Sequence, residues 1–228
     1  LPDGGIAFIS DRKPAYAYCY VVTSPVLYRM ERDGSKQKRL SANYLMDFTP
    51  SVLEDGRILY MRWEYVDRSQ VHYHHLWTTN PDGTNHALYY GQSTPHPVLN
   101  ARPIPGSDRI ICILSSCHDR PWGALAIVDR SRGMDGREPV LRTWPASAIN
   151  LVGHGNYDTF IRVNPKYEDP YPLSDKYFLC SRMTGQKEQV GLYLLDTFGN
   201  EVLVHVEDPG CFDPMPLAHR PKPPVIPD

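Results

Sequence analysis

The sequence predicts an all-β fold, specifically a β-propeller of four-stranded antiparallel blades, and three observations lead there. A turn-and-strand motif recurs along the 228 residues, and a second strand–turn–strand motif is interleaved with it. Pro 22 and Gly 16 together make about 17% of the chain against a usual share near ~12%, too many breakers for a helical bundle. Tyr 15 leads an aromatic content of 11%, which suits pleated strands.

The first motif is Leu1-Pro2-Asp3-Gly4-Gly5-Ile6-Ala7-Phe8-Ile9-Ser10, repeated as Leu53-Glu54-Asp55-Gly56-Arg57-Ile58-Leu59-Tyr60-Met61-Arg62. It returns as Ile104-Pro105-Gly106-Ser107-Asp108-Arg109-Ile110-Ile111-Cys112-Ile113 and as Leu173-Ser174-Asp175-Lys176-Tyr177-Phe178-Leu179-Cys180. Each copy reads as a tight turn feeding a strand. Between them lie Leu27–Ser35, Leu76–Thr84, Leu125–Asp129 with a looser turn at Asp135-Gly136, and Leu192–Asn200. These are strands running into Asp-Gly or Gly-Asn turns, which tolerate the positive φ of hairpins, followed by a short strand.

One unit is therefore four strands, A to D, in about 50 residues, the length of a propeller blade. The units fall at roughly 1–46, 47–97, 98–168 and 169–210, and 211–217 begins a further blade. The propeller segment thus spans 1–217, and the Pro-rich 218–228 is an extended linker. Opening on the turn Leu1-Pro2-Asp3-Gly4, the chain reads as cut from something longer. Two closures fit: four blades sealed by 212–217, or a six- or seven-bladed ring with further blades before Leu1. Ala146–Ile149, inside the insertion 146–170, is the one short helical turn expected.

Lys+Arg 24 against Asp+Glu 26 leaves a net charge of −2 and no basic stripe, which removes the electrostatic drive for binding nucleic acid. No run reaches the ~18 apolar residues of a membrane span. Five cysteines are too few for a disulfide scaffold, and no C-x-x-C occurs. Cys112 and Cys180, each within an apolar run, read as buried thiols.

An antiparallel A-B-C-D order places A–B and C–D turns on one face and all long B–C and D–A segments on the other. The first face should carry only short Asp-Gly turns. Binding groups concentrate on long loops held by a rigid scaffold, so any site belongs to the second face or the central channel. Candidates there are Trp63, Glu64, Asp67 and Arg68. Glu64, Asp67 and Arg68 could form an ion-pair network tying adjacent blades together, or a polar pocket in which Glu64 or Asp67 acts as base or ligand. His118, Asp119 and Arg120 follow Cys117; His154 lies in the insertion and Arg182 in the last B–C segment. His72 and His74 would share one side of an extended segment and could hold a metal ion.

The segments Pro50–Ile58, Arg62–Arg68, Ala101–Ser107, Asp169–Ser174 and Asp213–Leu217 resemble the repeats of TolB-like propellers, and more closely the middle domain of the hydrazine synthase alpha subunit family. The resemblance implies a secreted or periplasmic multidomain protein with its propeller between other domains. That family's enzyme condenses nitrogen compounds at haems held by Cys-x-x-Cys-His motifs. None occurs here, so its chemistry does not carry over and no haem is expected in this segment. The expected role is a non-catalytic scaffold contacting neighbouring domains or another subunit. The alternatives are a metal-dependent hydrolase or lyase on the same face, and a small-molecule sensor.

Overall fold

The computed structural model describes residues 1–12, 15–18, 21–65, 67–69, 71–185 and 189–227. It is all-β, with fifteen strands and two short 3-10 helices among the described residues. Strands β1 (Ile6–Ser10), β2 (Val26–Met30) and β3 (Lys38–Arg39) form a three-stranded sheet. A four-stranded meander follows: β4 (Asp47–Val52), β5 (Ile58–Trp63), β6 (His74–Thr79) and β7 (Ala87–Tyr90).

The remaining strands make two more meanders. One contains β8 (Val98–Pro103), β9 (Arg109–Ser115), β10 (Gly123–Asp129) and β11 (Val140–Trp144). The other contains β12 (Tyr167–Pro172), β13 (Tyr177–Met183), β14 (Val190–Asp196) and β15 (Glu201–His205). A single pairing, Gly123 with Tyr167, joins them. Every pairing between named strands is antiparallel. The unit of four strands and its repeat are as the sequence predicts.

Local chemistry explains the strands. Ile110–Leu114 and Ala124–Ile127 are apolar runs without alternation, and both are buried on the two faces of their sheet. Between sheets, Leu27 and Leu40 from the first pack on Ile58 and Tyr60 of the second, while one large cluster spans the other three. Tight turns close the hairpins; at Gly56, with φ of 91°, the amide donates to Leu53 O at 3.0 Å. An added Cβ there would also meet the Pro224 carbonyl at 2.4 Å, so the C-terminal segment packs back on this turn.

Two features depart from the expected layout. The connection 130–139 on the turn face is long, begins with a 3-10 helix (Arg130–Arg132), and reaches the D–A loop of the preceding sheet. The Tyr90 hydroxyl donates to Gly136 O, Thr94 Oγ1 donates to Asp135, and Gly91 N donates to Met134 O. That face therefore does not carry only short turns. The expected helical turn at Ala146 extends as a 3-10 helix to Leu151. Residues 211–217 form no strand pairing, and no helix is long and apolar enough to cross a membrane.

Candidate functional site

The first strand of each of the three four-stranded meanders carries the same irregularity. Register shifts interrupt β4 between Phe48 and Ser51, β8 between Leu99 and Arg102, and β12 between Glu168 and Tyr171. At each bulge one residue takes positive φ: Thr49 (50°), Asn100 (49°) and Asp169 (50°), and Asp213 (49°) repeats it beyond β15. All four line one cavity of about 690 Å³. Three strands and the segment beyond β15 thus present four side chains to a shared pocket, whose wall also includes Arg102, Ser116, Cys117, Asp119 and His74 beside apolar groups such as Phe48, Met61 and Leu99.

Within it, Asn100 Nδ2 donates to Asp169 Oδ1 at 3.0 Å, and the Asp213 N–H donates to Asp169 Oδ2 at 3.3 Å. Burial raises the pKa of Asp169, and the neighbouring Asp213 carboxylate adds to the rise. Adjacent Glu168 is pushed up to about 7 by burial, against the pull of Arg120, whose Nη2 lies 2.6 Å from Glu168 Oε1. Of the two, Asp169 lines the cavity and can accept from, or donate to, a small polar ligand.

The predicted candidates fall into three groups. Trp63 ends β5 and stacks on His74 with ring centroids 5.1 Å apart; burial lowers the His74 pKa to about 3, so the ring is neutral. Glu64 pairs with Arg68 at 3.1 Å within the same segment, and Arg68 lies over the Tyr73 ring. Asp67 is exposed at φ of 57°. Val66, between them, lies outside the described residues, as does Cys19.

The second group braces the loops. His118 Nδ1 meets Asp158 Oδ2 at 2.8 Å, Asp119 pairs with Lys166, and Arg120 with Glu168, so three consecutive residues of one B–C loop each grip the insertion or the strand after it. The Cys117 N–H donates to Tyr157 O, and the Tyr157 ring touches His72 and His118. His154 is exposed in the same insertion. Arg182 stands apart: it pairs with Glu201 at 2.6 Å and lies over Tyr193.

His72 and His74 are not on one side of a strand. β6 begins only at His74, and His72 sits in the preceding turn, so period-two alternation does not reach it. Among the described residues neither joins a set of three potential metal ligands. His75 and His96 are buried with pKa values lowered to about 4 and about 3 by desolvation, and the His75 ring bonds Thr94 O. Cys112 and Cys180 are buried free thiols, as their surroundings predict.

The aligned bulge residues escaped the sequence reading. Their signal is a polar residue ahead of proline in Thr49-Pro50, Asp169-Pro170 and Asp213-Pro214. It is broken at Asn100-Ala101.

No family model matches the chain, and no curated protein matches it. Among solved structures it is similar to hydrazine synthase of Kuenenia stuttgartiensis, with a TM-score of 0.72 and 18% sequence identity over 97% of this chain. The match spans 30% of that protein's chain, and at this identity the likeness is one of fold.

Proposed function

We propose that this chain is a propeller segment of a larger secreted or periplasmic protein, related in architecture to hydrazine synthase, and that it works as a non-catalytic scaffold. Its long-loop face docks a neighbouring domain or another protein subunit. The four sheets are consecutive blades, the first without its innermost strand, within a six- or seven-bladed ring.

The observation that carries this reading is the set of exposed aromatic side chains on those loops. Tyr18 lies 6.2 Å from both Tyr44 and Tyr65, which belong to two other loops, and a second aromatic group joins His72, Tyr157 and His118 on further loops. Tyr16, Tyr18 and Tyr44 are each 58–65% exposed, and Val21 is 90% exposed. Aromatic groups presented on braced loops are the composition of a protein interface core. The test places a photocrosslinking residue at Tyr44 and, separately, at Phe198 on the turn face, in the full-length protein. Crosslinks to another domain or subunit from position 44 and none from 198 are expected; the reverse pattern defeats the proposal.

A second reading, a small-molecule sensor, draws on the cavity lined by Asn100, Asp169 and Asp213. A polar ligand bound there raises the melting temperature, and the rise shrinks in Asp169→Asn and Asp213→Asn. The metal-dependent hydrolase reading gains no support from His72 and His74, whose rings pack on different partners.

A further inference from the structure

We propose that His205, Glu207 and Cys211 form a binding site for a transition-metal ion, with zinc the best match. The site is independent of the scaffold reading, and its three residues neither line the cavity nor include His72 or His74. His205 closes β15, and the chain then turns through Glu207 to Cys211. One ligand atom from each side chain lies within 4.8 Å of the other two, and His205 Nε2 is already 3.4 Å from Glu207 Oε2. A tetrahedral zinc with bonds of about 2.0–2.3 Å needs donors somewhat closer, and rotation of exposed side chains supplies the difference.

Backbone contacts hold the loop in this shape. The Cys211 N–H donates to Val190 O at 3.0 Å, so both ends of the loop rest on the start of β14, where Leu192 pairs with His205. Gln189 Nε2 reaches Asp208 in the middle of the turn. The three donors are therefore gathered in a short closed loop, which lowers the ordering cost of binding.

The donor set selects the ion. A thiolate, an imidazole and a carboxylate together favour zinc and its borderline neighbours over magnesium or calcium, which want oxygen only. With Cys211 and Glu207 ionised and His205 neutral, the donors carry two negative charges, which a divalent cation balances. Three protein ligands leave a fourth position for water or for a side chain from a partner. Bound there, the ion would clip the end of the last strand to the segment that carries Asp213 back to the cavity.

The test uses the full-length chain, reduced with a thiol-free reductant and titrated with Co²⁺. One equivalent should give a thiolate-to-cobalt charge-transfer band that Zn²⁺ abolishes by displacement. Cys211→Ser should remove the band, while Cys117→Ser and the pair His72→Ala and His74→Ala should leave it. Loss of even an outer partner of a metal ligand costs about 10–100-fold in affinity, so His205→Ala and Glu207→Gln should weaken cobalt binding by at least about tenfold. All three ligand positions are solvent-accessible, and circular dichroism checks that each variant is folded. A band that survives Cys211→Ser, affinity unchanged by His205→Ala, or no band at all overturns the site.

Discussion

The third sheet and the outermost strand of the fourth show what the repeat does in two settings. In β9 and β10, nearly every residue from Ile110 to Val128 within a strand is buried, because neighbouring sheets cover both faces. In β15, Val202, Leu203 and Val204 are 46–58% exposed although the sequence Glu201-Val202-Leu203-Val204-His205 is as apolar. The hydrophobic content of a strand marks it as a strand. Whether it is core depends on the sheets beside it.

Truncation breaks this contrast most strongly. Leu114→Ala in β9 should cost about 2–5 kcal/mol through lost contacts and the cavity left behind, measured by denaturant unfolding. Gly123→Ala comes next: an added Cβ would sit 2.0 Å from the Leu114 carbonyl oxygen, so the β9–β10 ladder must move, at about 1–3 kcal/mol. If either matches a surface substitution, the packing of the third sheet is not as described.

Buried charge sharpens the comparison at the first interface between sheets. Asp47 in β4 accepts from Ser41 and Asn43 of the first sheet's exit loop, and burial raises its pKa from 3.8 to about 6. The folded state then holds a proton that the unfolded chain releases earlier, so Asp47 makes stability fall as pH rises from about 4 to about 6. Asp47→Asn should flatten that slope, gaining on the wild type across this window by thermal melting at successive pH values. A parallel pair of curves refutes it.

Smaller effects close the series. Thr49 is the β-branched member among the three bulge residues of positive φ, and Thr49→Asn should stabilise by up to about 1 kcal/mol. Leu203→Ala in β15 should stay within about 0.5 kcal/mol, in line with its exposure. A larger loss would mean that β15 is covered in solution.

What the sequence made legible was local. Asp55-Gly56 and Asp82-Gly83 announce turns, and Ile110–Leu114 announces a strand, because these signals sit within a few residues of what they determine. The contacts that define the site are not local. His118 finds Asp158 forty residues later, and the 130–139 connection is held by Tyr90 and Thr94 from another sheet. Nothing near Asp158 or Gly136 in the chain specifies those partners. His72 failed for a related reason: alternation was read through a turn that only the start of β6 reveals.

The bulges have a consequence for which polar groups the cavity holds. A left-handed backbone is sterically costly for most side chains and least so, after glycine, for asparagine and aspartate. Two of the three bulge positions, and Asp213 beyond β15, hold one of those two residue types. The pocket's carboxylates and amide follow from a conformational filter acting once per repeat. Sheet geometry alone would keep such a lining polar through sequence drift, and new ligand preferences could arise by exchanging single residues at these corners while the strands around them stay intact.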